Sequence, residues 1–189
     1  MKSLTVESGA IDNSRKFLHR GKTIGTTMIG TDRLYRFVDR NPDVESYPSS
    51  YTNNASILAQ LNHLYSINGA LQVDLSGQVN AETVRGIQVS GIGGQSDFVQ
   101  GARFSRGGKS IIALSSTTPE AKTSRIVAHL EQGAAVSSLR HDVDYVVTEN
   151  GIASLKGKSL RERTRALVEI SHPSFRETLE ADSLKILSK

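Results

Sequence analysis

The alternation of apolar and polar residues along the chain predicts short strands separated by helices. Several runs are β-rich or apolar over strand lengths, and Ser76-Gly77 marks a turn within one of them. The predicted strand regions are 22–29, 64–79, 110–114, 125–130 and 144–147. Strands that alternate with helices over 189 residues indicate one α/β layered domain.

Two helices are predicted in the first third of the chain from apolar residues at helical spacing. Thr31 or Asp32 can cap the first helix, and Asn41-Pro42 ends it. The second helix spans residues 54–61. The side chains expected to face the core are Leu34, Phe37 and Val38 in the first helix and Ile57, Leu58 and Leu61 in the second.

Two more helices are predicted near the end of the chain, each from the spacing of a capping box. Ser159 stands three residues before Glu162, and Ser174 stands three residues before Glu177. His172-Pro173 is expected to end the earlier helix, and the later one runs through Leu179. The residues expected to turn to the core in the earlier helix are Leu160, Thr164, Leu167 and Val168.

Residues 86–108 form an unusually glycine-rich region that holds seven of the 16 glycines. Apolar residues interrupt the glycines throughout, which favours an ordered loop and a short helix over a flexible linker. Two phosphate-binding motifs fail here. A P-loop would need glycine where Arg103 stands, and a dinucleotide fingerprint would need it at Ser96. The sequence therefore supports neither an ATP site nor an NAD site.

Two groups of glycines in this region suit an anionic ligand. The turn containing Gly91, Gly93 and Gly94 can present unshielded backbone amides to developing negative charge, as an oxyanion hole does. Lys109 follows Gly107 and Gly108, which permit close approach of an anion. The alternative is that these glycines only form tight turns, and their spacing alone favours that alternative slightly.

Composition narrows the function classes. The chain has no cysteine, which excludes disulfides and zinc–thiolate sites, and its five histidines are too scattered to suggest a metal site. Its net charge is +4, and the densest basic run, 156–165, suits a solvated helix face better than nucleic acid. Neither a signal peptide nor a membrane span is recognisable, so a soluble, cytoplasmic protein is expected.

Long segments of the chain resemble the acetyl-CoA hydrolase/transferase family, which includes 4-hydroxybutyrate CoA-transferases. The segments lie in the family's order and are 51–54 (YTNN), 66–82, 90–117 and 140–179. The resemblance implies an open α/β/α layered domain with a mostly parallel sheet, of the CoA-transferase type. It identifies residues 1–189 as one carboxyl-terminal domain of such an enzyme.

The resemblance also implies a reaction and a set of site residues. The family transfers CoA between carboxylic acids through a glutamyl-CoA thioester, with CoA as a substrate and no permanently bound cofactor or metal. Gly93 and Gly94 are then the oxyanion donors, and Asn53 stands near the reacting group. The residues expected along the CoA channel are Gly91, Gln95, Gly107, Gly108 and Lys109.

The chain departs from the family at the nucleophile. By the resemblance, the glutamate that attacks the thioester lies upstream of the segment matching 4–16, and hence outside this chain. Glu7 matches a non-catalytic position, and Asp97 is expected to start a helix and hold the glycine loop. Asn150 replaces an aromatic residue that is frequent in the family, which either alters acyl selection or has no effect.

Several explanations of the missing glutamate remain open. The chain is either a fragment, a truncated product, or one subunit of a split enzyme; the last would expose a hydrophobic docking face. The expected partners are an acyl-CoA, a small carboxylic acid and the amino-terminal half, with a homo-oligomer left open and neither nucleic acid nor membrane expected. Alternatives are a part of an acetyl-CoA hydrolase, a non-catalytic CoA-binding or interaction domain, and an unrelated α/β protein.

Overall fold

The computed structural model describes residues 6–187. The expectation about a signal peptide rests partly on the first five residues, which lie outside the described part. In chain order, the strands are β1 (Thr23–Gly25), β2 (Val44–Ser46), β3 (Tyr65–Gly69), β4 (Gln72–Asp74), β5 (Val79–Asn80), β6 (Thr83–Val84), β7 (Ile87–Gln88), β8 (Lys109–Ala113), β9 (Ile126–Val127), β10 (Tyr145–Thr148) and β11 (Gly151–Ser154). The helices are α1 (Asp32–Val38), α2 (Ser49–Thr52), α3 (Ala55–Leu58), α4 (Gln95–Phe104), α5 (Leu160–Glu169) and α6 (Pro173–Leu187), with a 3-10 turn at Pro119–Ala121.

The main sheet has four strands in the order β11-β10-β8-β3. β3, β8 and β10 run parallel, and β11 returns antiparallel at one edge. A second sheet has the order β5-β4-β9, with β4 parallel to β9 and antiparallel to β5. Mixed helices and mostly parallel strands confirm the predicted α/β fold class.

The hydrophobic core lies between the two sheets and the last two helices. Its members include Val73 and Ile126 from the smaller sheet, Ile112 and Val146 from the main sheet, and Leu167 from α5. All five are fully buried. Helix α6 contributes Leu179, so both carboxyl-terminal helices close over the same core.

The two faces of the main sheet have different surroundings. One face is buried and carries Ser66, Ser110, Ile112, Val146 and Ala153, each no more than 2% exposed. The opposite face, here called the open face, is exposed or half-buried in the described chain. Alternation and strand register assign the following side chains to the open face: Tyr65, Ile67, Ile111, Tyr145, Val147 and Ile152.

Helix prediction was accurate where local capping determined the boundary. The Ser159–Glu162 capping box is formed in both directions at the start of α5. α1 begins at Asp32 without a side-chain capping bond from Thr31, ends at Val38, before the predicted stop at Asn41-Pro42, and has no fully buried residue. Thr164, Leu167 and Val168 are buried as predicted, but Leu160 remains 37% exposed because it lies in the first turn, outside the packed stripe. The predicted helix 54–61 is only one turn long, Ala55–Leu58, with Asn54 as its cap.

The predicted start of the last helix was wrong. α6 begins at Pro173, whose fixed φ suits a first helical position, so Ser174 lies inside the helix and its amide faces His172 Nδ1 at 3.3 Å. The helix also continues past Leu179 to Leu187. Near its carboxyl end, Ile186 packs against the core. This tertiary contact stabilises the end of the helix, and the local sequence does not indicate it.

Candidate active site

The glycine loop ends at the first turn of α4. Gly94 is the N-cap residue, and Gly93 has φ +58°, a left-handed conformation that glycine adopts without steric cost. Among the contacts of residues 6–187, the amide N–H groups of Gly93 and Gly94 have no hydrogen-bond acceptor. Gly93 is exposed and Gly94 is half-buried, so both donors are available to a ligand at the positive end of the helix dipole.

Asn53 lies against this loop in a fixed orientation. It follows α2, where its Oδ1 accepts a hydrogen bond from Thr52 Oγ1 at 2.8 Å. Its Nδ2 donates to Asp97 Oδ2 at 3.3 Å, so Asp97 in the first turn of α4 holds both the loop and the amide. A primary amide has two N–H donors, and the second remains free for a ligand.

Close packing explains the glycine at position 94. A Cβ on Gly94 would lie 2.5 Å from Asn53 Nδ2, whereas a Cβ on Gly91 or Gly93 would have no atom within 4 Å. The predicted oxyanion donors and Asn53 are therefore brought together. Gly91 lies beside them in the exposed loop.

Gln95 is adjacent in sequence but turned away from this site. It is 9% exposed, and its Nε2 donates to Ser138 Oγ at 3.0 Å. Its side chain therefore anchors the start of α4 to the chain around Ser138. The backbone amide of Gln95 donates to the Ile92 carbonyl oxygen at 3.4 Å, within the loop.

The second glycine group lies at the other end of α4. Arg103, in the last turn, pairs with Asp142, which precedes β10, so this end of the helix lies at the amino edge of the parallel strands. Ten helical residues span about 15 Å. Gly107, Gly108 and Lys109 are therefore separated from the glycine loop by the length of the helix.

Both glycines of this second group have structural reasons. Gly107 has φ +71° and packs on the His63 ring, and a Cβ on Gly108 would lie 2.1 Å from the backbone oxygen of Ala102. The tight-turn alternative therefore accounts for these two positions. Lys109 is exposed, and its Nζ lies 5.8 Å from the Tyr65 ring centroid and 5.4 Å from that of Tyr145.

A polar cluster at the carboxyl edge of the sheet was not predicted as a site. Ser116 follows β8 and Glu149 follows β10, and the Glu149 carboxylate accepts from both the hydroxyl and the amide of Ser116, the latter at 2.9 Å. Asn150 Nδ2 also donates to Ser116 Oγ at 3.0 Å. Ligands of open α/β sheets bind at this carboxyl edge. The amino end of α4 lies towards the same edge, because its last turn lies at the opposite one.

Hydrogen bonding explains the electrostatics of this cluster. The Ser116 hydroxyl and then the Ser116 amide, both donating to the carboxylate, lower the pKa of Glu149 below its ordinary value. Glu149 is therefore an ionised, exposed carboxylate at the carboxyl edge. The sequence signal available was the position of Ser116 and Glu149 after two predicted parallel strands.

Glu7 occupies a different setting from a catalytic carboxylate. Its Oε2 accepts from Arg33 Nε at 3.0 Å and also lies 3.0 Å from Arg33 Nη2, and the side chain is exposed. This pair holds the first described residues to α1. Within residues 6–187 no group of three His, Cys, Asp or Glu side chains has a metal-binding arrangement.

Comparison with known proteins assigns the family. Residues 30–183 match the family described as the acetyl-CoA hydrolase/transferase C-terminal domain. The chain belongs to this family. A 4-hydroxybutyrate coenzyme A transferase from Clostridium kluyveri is 52% identical over 174 residues, which are 92% of this chain and 41% of that protein. A succinyl-CoA:cyclohexane-1-carboxylate CoA transferase from Geobacter metallireducens is 46% identical over 172 residues, 91% of this chain and 39% of that protein.

Solved structures share the fold of this chain. The crystal structure of RipA from Yersinia pestis superposes with a TM-score of 0.90 at 40% identity, covering 96% of this chain and 41% of that one. The chain thus spans about two fifths of the length of the relatives that it matches. No described helix has the length and apolar content that crossing a bilayer requires.

Proposed function

We propose that this chain is the carboxyl-terminal part of an enzyme that moves CoA from an acyl-CoA to a small carboxylic acid. The observation that carries the proposal is the pair of unpaired amides at Gly93 and Gly94 beside Asn53, which Thr52 and Asp97 orient. Such donors stabilise an oxyanion that forms when a nucleophile adds to a thioester carbonyl. The relatives named as CoA transferases support the same chemistry.

The reaction needs a nucleophilic carboxylate, and the carboxylate at the glycine loop in the described chain, Asp97, is engaged by Asn53 and holds the loop. In the proposed sequence, a glutamate from outside the chain attacks the acyl-CoA, giving a mixed anhydride and CoA thiolate. The thiolate attacks the glutamyl carbonyl, releases the first acid and leaves an enzyme–CoA thioester. The acceptor carboxylate then reacts with that thioester, and the CoA thiolate attacks the resulting anhydride to release the new acyl-CoA.

Each addition in this sequence places negative charge on one oxygen. The Gly93 and Gly94 amides and the free N–H of Asn53 are proposed to receive that charge. The exposed Gly91 is proposed to let CoA approach the loop, and Gln95 to hold the loop in place. Lys109, beyond Gly107 and Gly108, is proposed to meet an anionic part of the extended CoA molecule at the other end of α4.

The proposed activity is testable in a chimera in which this chain replaces the matching part of the C. kluyveri relative. Wild-type chimera should transfer CoA between acetyl-CoA and butyrate or 4-hydroxybutyrate, measured by separation of the acyl-CoA products. Asn53→Ala should lower kcat by about 10²- to 10³-fold, the usual effect of losing one oxyanion donor. Asn54→Ser is the matched control because serine also caps helices well.

A folded chimera in which Asn53→Ala and Asn54→Ser have equal activity would contradict the role of Asn53. A folded chimera that hydrolyses acetyl-CoA without transfer would assign the hydrolase alternative instead.

A non-catalytic CoA-binding domain is the second candidate, and the exposed Lys109 between two tyrosine rings favours it. Calorimetric titration of the 189-residue chain with CoA tests it directly. This candidate would be supported if the chain binds CoA, Lys109→Ala weakens that binding about tenfold, and the chimera stays inactive. Binding unaffected by Lys109→Ala would remove Lys109 from the ligand site.

A further inference from the structure

The open face of the main sheet is an apolar surface whose isoleucines and valine the proposed chemistry does not use. Three of its side chains are more than half exposed: Tyr65 at 52%, Ile67 at 67% and Ile152 at 68%. They are not scattered, because Ile67 is in register with Ile111, which is in register with Tyr145, and Val147 is in register with Ile152. The result is a continuous band across all four strands.

A mostly parallel sheet with one largely uncovered face is unusual. Parallel strands are normally covered on both faces, because their crossover connections place helices on each side. The buried face follows that rule, whereas the side chains of the open face are exposed or only half-buried by residues 6–187. β3 is also an edge strand, with no second neighbour among the described strands. Both features indicate that further structure belongs on this side.

We propose that the open face is the surface on which the remaining part of the same enzyme packs. The inference rests on the proposed function for the identity of that part. It is supported by the RipA structure, in which the equivalent of 96% of this chain is only 41% of a longer chain. The chemistry of the face suits an apolar partner, since its rows contain isoleucine, valine and tyrosine, while Lys109, proposed above to meet CoA, stands at the margin as the first residue of β8.

The absence of cysteine from the sequence permits a direct footprint of this face. Single cysteines are introduced by Ile152→Cys on the open face and by Leu184→Cys on α6, where the native leucine is 70% exposed. Each variant is labelled with a maleimide in the isolated chain and in the chimera with the C. kluyveri relative. Labelling at each site is read by mass spectrometry of the peptide that contains it.

Labelling at position 152 should be at least tenfold slower in the chimera than in the isolated chain, with little change at position 184. Ile67→Cys provides a second site on the same face, in case Ile152→Cys perturbs β11. Circular dichroism of each isolated variant establishes that it is folded. Equal labelling of both open-face cysteines in chain and chimera would overturn the proposal.

Two other outcomes are distinguishable. In the first, labelling of the isolated chain slows as its concentration rises, and light scattering shows a dimer. That result would assign the open face to a second copy and overturn the proposal. A chimera that protects position 152 but has no CoA-transfer activity would contradict the proposed function and leave the docking surface intact.

Discussion

At the scale of single residues, the glycines divide by what an added methyl group would meet. At Gly108 it would meet the Ala102 carbonyl oxygen at 2.1 Å, in backbone that cannot move aside, whereas at Gly94 it would meet the end of the Asn53 side chain. Gly108→Ala should therefore destabilise the chain by about 3 kcal/mol or more, and Gly94→Ala by about 1 kcal/mol. Urea unfolding of the two variants measures both values.

The two variants serve as mutual controls, since each adds one methyl group to the same glycine-rich region. Similar losses of stability at both positions would show that Gly94, too, is only a structural turn. A displaced Asn53 in a folded Gly94→Ala chain would instead connect this glycine to the site.

Glu149 provides a pH-dependent prediction. Hydrogen bonds from Ser116 lower its pKa from the ordinary value of 4.5, so the folded state binds the proton less readily than the unfolded state. This stabilisation is present above pH 4.5 and is lost as the pH falls through the lower folded-state pKa. Ser116→Ala should raise the pKa of Glu149, and its destabilising effect should shrink in acid.

Carboxyl-carbon NMR titration of Glu149 measures the pKa, and urea unfolding at neutral and acidic pH measures the stability difference. Glu149→Gln is the control background, in which Ser116→Ala should have no pH-dependent effect in this range. An unchanged Glu149 titration in Ser116→Ala would show that another group lowers its pKa.

The site residues differ in how far the sequence could reveal them. Gly93, Gly94 and Asn53 were assigned through the family resemblance, since the spacing of the glycines alone slightly favoured tight turns. Their contact was not readable from sequence, since Asn53 and Asp97 are separated by 44 positions. Ser116 and Glu149 lie in segments that resemble the family but were not predicted as a site, because only the parallel pairing of β8 and β10 brings them together.

At the scale of elements, α5 offers a test of local capping. Ser159 Oγ accepts from the Glu162 amide at 3.4 Å, and Glu162 Oε2 accepts from the Ser159 amide at 2.8 Å. Ser159→Ala should cost about 1 kcal/mol in the free energy of unfolding, whereas Ser159→Asp should retain most of the stability because aspartate also caps. Equal unfolding midpoints for Ser159→Ala and wild type would show that core packing alone fixes the helix.

Elements defined by local signals were predictable, and elements defined by their partners were not. The capping box placed α5 correctly, and the β-rich run 110–114 corresponds to β8. The two-residue strands β6 and β7 pair with each other and are too short for any periodicity to develop, whereas β9 lies within the predicted region 125–130 and β5 begins at the end of the region 64–79. The last helix started earlier than expected because Pro173, not Ser174, occupies its first position.

At the scale of the whole molecule, the open face connects stability with assembly. Covering a large apolar side chain is worth about 1.5–3 kcal/mol, and Ile67 and Ile152 are both mostly exposed in the isolated chain. A net gain of only about 2 kcal/mol raises the melting temperature by about 4–8 °C for a domain of this size. We therefore expect this segment to unfold at a higher temperature in the chimera than alone.

Two lysine substitutions control this last prediction, one on the open face and one on α6. Ile152→Lys should leave the melting temperature of the isolated chain nearly unchanged, because the replaced side chain is 68% exposed there, yet lower that of the chimera by several degrees. Leu184→Lys, at a similarly exposed position on α6, should change neither. Differential scanning calorimetry of the chain and the chimera separates these cases. Identical melting of the segment in both would mean that the rest of the enzyme adds nothing to this sheet, and the exposed isoleucines would then need another partner.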